Sequence, residues 1–212
     1  MISNDAQWLK ERLKGIGGSE AAAIVGKNPY LNNQELWEIK TGRKAHEDIS
    51  NKACVQYGKE AEAPLRELFA LDHPEYEVRY REYDLIRNPE HPFILATLDG
   101  QLVDKETGRL GILEIKTTEI LRSMQKEKWS GGIPDNYFIQ VLWQMLATGY
   151  EFACLKAQLK FNYNGDLRTE CRHYYLDRKD FEEDIRHLQA KAIEFWKCVE
   201  EDRRPALILP EI

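Results

Sequence analysis

The stretch Gly111-Ile112-Leu113-Glu114-Ile115-Lys116 constrains this chain more than any other. It reads as a short buried strand carrying a carboxylate and an ammonium. Side chains at i and i+2 of a strand share a face. Glu114 and Lys116 therefore project together, while Leu113 and Ile115 point the other way. Charges on so apolar a strand are costly unless they are paired or bound to something. On its own the pair is better explained by an edge strand with one wet face than by a reactive site, because Glu-x-Lys recurs by chance in many chains. The surroundings of the pair have to decide.

The nearest surroundings supply a second acid. Residues 93–100 read as a strand ending in Asp99-Gly100, continued weakly to 104. Asp104-Lys105-Glu106-Thr107-Gly108 is a hairpin-type turn into a strand over 110–117. The hairpin lays 99–104 antiparallel to 110–117 and brings Asp99 near Glu114. Two carboxylates that close repel each other, and a divalent cation between them is the main stabilising arrangement.

The rest of the chain is read in order. A short helix over 5–14 ends at Gly15. Gly15-Ile16-Gly17-Gly18-Ser19 then feeds an alanine-rich helix with Ser19 as its N-cap. Such a turn is either a plain capped helix or an anion site, and its spacing matches neither nucleotide-binding glycine motif. Residues 33–41 form a further helix, closed by Gly42, and 43–48 are loop. Residues 49–72 form a long helix bent at Pro64, with Tyr57, Ala61, Leu65, Leu68 and Phe69 on its apolar face. Its Glu60 and Glu62 lie roughly 200° apart, so they cannot serve one site, and a wet helix face is the favoured reading of both. A first strand covers 76–87. Residues 118–128 form a basic helix, and 129–134 a loop. A helix over 135–148, closed by Gly149, sets Gln140 and Gln144 on one face. A second hairpin, 152–162 with 167–176, turns at Asn164-Gly165. A final packing helix over 178–201 carries Phe181, Ile185, Leu188, Ile193 and Trp196 as its stripe. The pattern predicts an α/β (α+β) fold: one domain over 1–212, with a central mixed β-sheet flanked by helices.

Composition limits the setting. The chain has 212 residues, of which 42% are hydrophobic, too many for disorder. No run approaches the ~18 apolar residues of a membrane span, and the N-terminus has no signal-like apolar core. A soluble, cytoplasmic protein with no membrane partner is expected. Cys54, Cys154, Cys171 and Cys198 lack metal-site spacing, which argues against a zinc or iron–sulfur site and predicts reduced, buried thiols. A net charge of −6 argues against a general nucleic-acid coat. It leaves a nuclease open, because a metal site itself concentrates carboxylates. The basic groupings Lys10/Arg12/Lys14, Arg79/Arg81 and Arg122/Lys126/Lys128 each read equally as solvated faces.

Asp99 at a strand end with Glu114-Ile115-Lys116 on the paired strand resembles the PD-(D/E)xK nuclease superfamily. Further motifs narrow the resemblance: Gly58-x-x-x-Glu62 followed by Arg66, Leu98-Asp99-Gly100, and Ile133-Pro134-x-x-Tyr137-x-x-Gln140. Together with Arg12-x6-Ser19 they resemble the YqaJ-like viral recombinase family, which includes the lambda phage exonuclease. The resemblance spans about residues 10–162, and it is the order of five motifs that gives it weight. It departs from the family pattern at Pro64, at Leu142 (where Gln144 takes the place of a second glutamine) and throughout 27–50.

The resemblance implies a restriction-endonuclease-like core with Mg2+ as cofactor, Mn2+ substituting. It implies Glu62, Asp99, Glu114 and the Ile115 carbonyl as metal ligands. Lys116 would activate or orient the attacking water, and Gln140 would support the site. Arg12 and Ser19 would hold a terminal 5′-phosphate, with Tyr137 beside the DNA. The implied activity is 5′→3′ digestion of one strand from double-stranded DNA ends. A ring-shaped homotrimer, a phage single-strand annealing partner and a phage or prophage origin go with it. The chemistry agrees: hard oxygen ligands select magnesium or manganese, and such cations lower the pKa of bound water and of a nearby lysine. An endonuclease or nickase of the same superfamily, or an inactive DNA- or partner-binding module, are the alternatives.

Overall fold

A computed structural model describes residues 4–120, 128–163 and 166–209. The chain order is α1 (Asp5–Arg12), α2 (Gly18–Ile24), α3 (Asn33–Lys40), α4 (Ala53–Asp72), β1 (Tyr76–Arg79), β2 (Ile86–Arg87), β3 (Leu95–Ala96), β4 (Gly100–Asp104) and β5 (Leu110–Ile120). Then come α5 (Asp135–Thr148), β6 (Phe152–Tyr163), β7 (Asp166–Asp177), a 3-10 turn (Arg178–Phe181) and α6 (Glu182–Glu200). A five-stranded sheet runs in the order β1-β4-β5-β6-β7. Only β5 and β6 pair in parallel; the other neighbours are antiparallel. Parallel neighbours need a long crossover, and α5 lies within it. The result is the expected mixed sheet flanked by helices, with restriction-endonuclease-like architecture.

The sheet separates two cores. Ile112 and Ile120 of β5 and Ala153, Leu155, Ala157 and Leu159 of β6 face a large core closed by α2, α3, α5 and α6. Leu113 and Ile115, with Cys154, face a smaller core under Leu65 and Phe69 of α4. The period of two therefore behaves as predicted: Leu113 and Ile115 are core, and Glu114 and Lys116 share the other face.

Several boundaries differ from the sequence expectation, each for a local reason. The strand expected over 76–87 is broken by a turn in which Tyr83 takes a left-handed φ of 57°. The strand expected over 93–100 splits, with Leu95–Ala96 paired to β2 and Gly100 opening β4. The three residues between them leave the ladder, and the Thr97 carbonyl accepts from Gln144 of α5 instead. Of the helix expected over 118–128, residues 118–120 extend β5 alongside β6. Residues 121–127, which include Arg122 and Lys126, lie outside the described residues, as does the turn 164–165. Helix α4 starts at Ala53 and continues unbroken through Pro64. Tyr57 and Leu68 are exposed, leaving Leu65 and Phe69 as its buried face. In α6, Ala192, Phe195 and Cys198 join Ile185 and Leu188 in the core, while Ile193 is exposed. Cys154 and Cys198 are buried free thiols, but Cys54 and Cys171 are exposed. Among the described residues no helix is long and apolar enough to cross a membrane.

Beneath α4 the smaller core ends in a polar cluster. Lys156 is fully buried, and its Nζ lacks a hydrogen-bond partner among the described residues. Across the strand pair lies His173, whose Nδ1 is 3.0 Å from His73 Nε2 at the end of α4. Burial, then Lys156, then His73 hold His173 below the ordinary imidazole pKa, against a weaker pull from Asp72. The unfolded chain, with histidines titrating near ~6.5, therefore binds more protons through that range. This contribution to stability is fully present above the unfolded value and is lost as pH falls through it towards the lowered folded value. The melting temperature should drop between pH 8 and pH 5, and His173→Gln should shrink that drop; an unchanged drop would remove His173 as its source.

Candidate active site

The site begins where two strands part. β4 pairs with β5 only from Val103↔Leu110 to Gly100↔Leu113. From Glu114 onward β5 has no β4 residue beside it. The backbone N–H of Ile115 donates instead to Asp99 Oδ2 at 2.7 Å. The chain turning out of the ladder thus replaces a backbone acceptor with a carboxylate and fixes Asp99 against β5.

Glu114, only 1% exposed, is held on both oxygens. Gln140 Nε2 donates to Oε1 at 2.6 Å, and Lys116 Nζ lies 2.6 Å from the same oxygen. Gln144 Nε2 donates to Oε2 at 2.6 Å and to the Thr97 carbonyl at 3.2 Å. The i, i+4 spacing on α5 aims both amides at one carboxylate. Sequence reasoning had set the two glutamines on one face; the structure shows that both grip Glu114. Burial works to lower the Lys116 pKa, but Glu114 and Asp99 outweigh it and hold the ammonium above its ordinary value. The Tyr137 ring lies 5.1 Å from Lys116 Nζ, on the lysine and outside the cavity lining.

Glu62 reaches the same place from the other layer. It lines a cavity of ≈ 320 Å³ with Asp99, Glu114, Lys116, Gln140 and Arg12, whereas Glu60 is exposed. Arg66, one turn on, donates to Glu62 Oε1 at 3.1 Å and to the Asp99 carbonyl at 2.6 Å, and its guanidinium stacks 3.6 Å over the Tyr80 ring. Arg66 therefore ties α4 to the end of the loop that delivers Asp99. Asp99 is pushed well above the usual carboxylate range by burial, then by Glu114, with Glu62 adding to the rise and Lys116 opposing it.

Arg12 and Ser19 form the opposite wall. Ser19 lies inside α2, and the N-cap is Gly17, whose backbone N–H donates to Glu20 Oε2 at 2.8 Å. Freed from capping, the Ser19 hydroxyl accepts from Arg12 Nη2 at 3.2 Å. The turn is anchored by a buried ion pair, Lys40 Nζ lying 2.9 Å from both Glu20 oxygens. Gly15 is required here, since a Cβ would stand 2.3 Å from the Phe93 carbonyl oxygen.

The structure thus brings Glu62, Asp99, Glu114, Lys116, Gln140, Arg12 and Ser19 to one cavity, with Ile115 contributing backbone and Tyr137 placed behind Lys116. Among the described residues no three His, Cys, Asp or Glu side chains form a ready-made metal cage. The donor chemistry nevertheless fits a hard cation. Three carboxylates line one cavity, burial and then the neighbouring carboxylates raise Asp99, and the Oε1 of buried Gln144 has no partner.

The sequence pattern of the YqaJ-like viral recombinase domain matches residues 7–151. The uncharacterized protein YqaJ of Bacillus subtilis (strain 168) is 35% identical over 148 residues, which are 69% of this chain and 43% of that protein. The match thus spans less than half the length of this curated relative. Among solved structures, an alkaline exonuclease (LHK-Exo) from Laribacter hongkongensis superposes with a TM-score of 0.67 at 20% identity, over 93% of this chain and 94% of that one. The same enzyme in complex with dAMP gives 0.66 at 21% identity over the same shares. At such identity the likeness establishes the fold.

Replacing Gln144 by the similarly sized Met leaves Glu114 Oε2 and the Thr97 carbonyl without a donor. Urea unfolding should show a loss of about 1–3 kcal/mol. Combined with Glu114→Gln, the two changes should couple by more than about 0.5 kcal/mol. Strict additivity would mean that the Gln144–Glu114 bond contributes nothing.

Proposed function

The chain belongs to the YqaJ-like viral recombinase family, and from this membership and the site's geometry we propose a magnesium-dependent deoxyribonuclease. The observation that carries the reading is the convergence of Glu62, Asp99 and Glu114 with Lys116 on one cavity. Structural packing alone gives no reason to gather three acids and a lysine where two strands part, since each buried charge has a desolvation cost.

Glu62, Asp99, Glu114 and the Ile115 carbonyl would hold Mg2+, with Mn2+ substituting. Bound there, the ion supplies acidification of water and neutralisation of charge on the scissile phosphate. The remaining work belongs to side chains. Lys116 orients the attacking water or steadies negative charge as the phosphorus–oxygen bond breaks. Gln140 and Gln144 keep both Glu114 oxygens in place. Arg12 and the Ser19 hydroxyl, beside the Gly17 turn, offer donors to a terminal 5′-phosphate. Tyr137 backs Lys116 and borders the DNA path. A phosphate-binding wall beside the acids favours a 5′→3′ exonuclease that digests one strand from duplex ends. The same reading takes residues 1–212 as one nuclease domain. It carries with it a ring-shaped trimer around DNA, a phage annealing protein as partner and the cytoplasm of a bacterial host as setting.

The test is a digest of linear and closed circular duplex, with 5′-phosphate and 5′-hydroxyl ends, with and without Mg2+. Magnesium-dependent loss of linear duplex, faster from 5′-phosphate ends, is the expected result. Cutting of circles would instead assign an endonuclease or nickase, and no cleavage would leave a DNA- or partner-binding module. Lys116→Ala should lower the rate about 100-fold or more; full magnesium-dependent activity in that variant would overturn the catalytic assignment.

A further inference from the structure

Three cationic side chains line the cavity: Arg12, Lys59 and Lys116. Two of them are engaged. Arg12 donates to Ser19 and lies 4.6 Å over the Trp8 ring, and Lys116 is paired with Glu114. Among the described residues Lys59 makes no hydrogen bond or ion pair and acts only weakly, at a distance, on the Asp48 carboxylate. It is exposed, so its ammonium stays available to a ligand entering from solvent. Lys59 was not singled out in the sequence, where it is one of many surface lysines.

Its place in the fold gives it a direction. Arg12 and Ser19 stand on the wall built by α1 and α2, and α2 packs on α5. Lys59 stands on the α4 wall, and α4 packs on β5. Glu62 stands on the same α4 wall, and Asp99, Glu114 and Lys116 line the cavity with it. Gly58 brings α4 close to β5, since an added Cβ would already touch Thr117 Oγ1 at 3.4 Å. Lys59, next to Gly58, and Thr117 both line the cavity, on elements other than the one that carries Arg12. A strand whose terminal phosphate rests at Arg12 and whose first linkage lies over the acids beside Lys116 would leave Lys59 as the cation of the lining free for its next phosphate.

Resting on the nuclease reading, we propose that Lys59 binds the phosphate one nucleotide beyond the scissile linkage, so that the site grips three consecutive phosphates of a DNA strand. Lys59 is a substrate-binding residue in this assignment. An ammonium suits the role, because a strand sliding through the site has to be released after each cleavage. A point charge with three rotatable donors holds a phosphate without a fixed bidentate geometry.

The experiment is a cycle on a 5′-phosphorylated duplex. Substrates are the normal duplex, one with a neutral methylphosphonate at the second linkage from the 5′ end, and one with it several linkages further in. Enzymes are wild type, Lys59→Gln and Lys59→Arg, each with Mg2+. Either change alone, Lys59→Gln or the second-linkage methylphosphonate, should lower kcat/KM about ten-fold, the size of one charged contact. Together they should lose no more than either alone, while the distant methylphosphonate should add its own effect in full. Lys59→Arg should restore most of the loss. In a separate binding titration against salt, Lys59→Gln should reduce the slope of log K against log[salt] by about 1. Additive losses at the second linkage, or no loss with Lys59→Gln, would overturn the assignment. If wild type binds duplex but cleaves none, the nuclease reading fails on its own, and an unchanged salt slope then overturns the Lys59 contact as well. Failure of wild type to bind duplex would overturn both.

Discussion

The site depends on the hydrogen bond from the Ile115 N–H to the Asp99 carboxylate. A backbone donor at a sheet position normally finds a carbonyl on the neighbouring strand. Here β4 begins only at Gly100, so the donor next in line is satisfied by a side chain. That substitution keeps the ladder energetically closed while opening a notch in the sheet edge. Through the notch Glu62 on one face meets Glu114 and Lys116 on the other. Had β4 started one residue earlier, Asp99 would be a ladder residue and its carboxylate would not stand in for a backbone acceptor at Ile115.

An opening of this kind concentrates charge, and the surrounding elements offset it. Glu114 lies at the bottom with donors on both oxygens. Glu62 shares Arg66 with the Asp99 carbonyl. Asp99 is pushed above the usual carboxylate range by burial and then by Glu114. Removing one partner from such a network costs more than the bond itself contributes, because a buried group is left unpaired. The Glu20–Lys40 pair does comparable work at the opposite wall, fixing the Gly17 turn that positions Arg12 and Ser19. Both walls are therefore braced by hydrogen bonds and ion pairs within helices and strands, the kind of support a precise site needs.

Much of this could be read from local pattern. The two-residue period placed Leu113 and Ile115 in the core and Glu114 with Lys116 opposite. The hairpin signal at Asp104–Gly108 gave the β4–β5 pairing, and helical spacing set Gln140 and Gln144 on one face. Other features depend on partners distant in sequence. That Thr97 leaves its strand follows from the Gln144 amide on α5. Ser19 looked like an N-cap because its residue type favours that role, yet Gly17 caps the helix and Arg12 takes the hydroxyl. Tyr57 and Leu68 fit the stripe of α4, but the helix touches the sheet along a narrower face.

By itself the sequence determined the periodicities, the strand that carries Glu114 and Lys116, and the fold class, because these follow from short-range sterics and the burial of one face. Motif order added the resemblance to a nuclease family. Only the tertiary structure decided that β4 begins at Gly100, that Arg66 joins α4 to the Asp99 loop, and that Glu62, the acid the family resemblance implies, lines the cavity. It likewise decided that Lys59 remains unpaired among the described residues. Each of these rests on where a helix crosses a sheet edge, and that angle is set by packing between residues far apart in the chain, which no local pattern encodes.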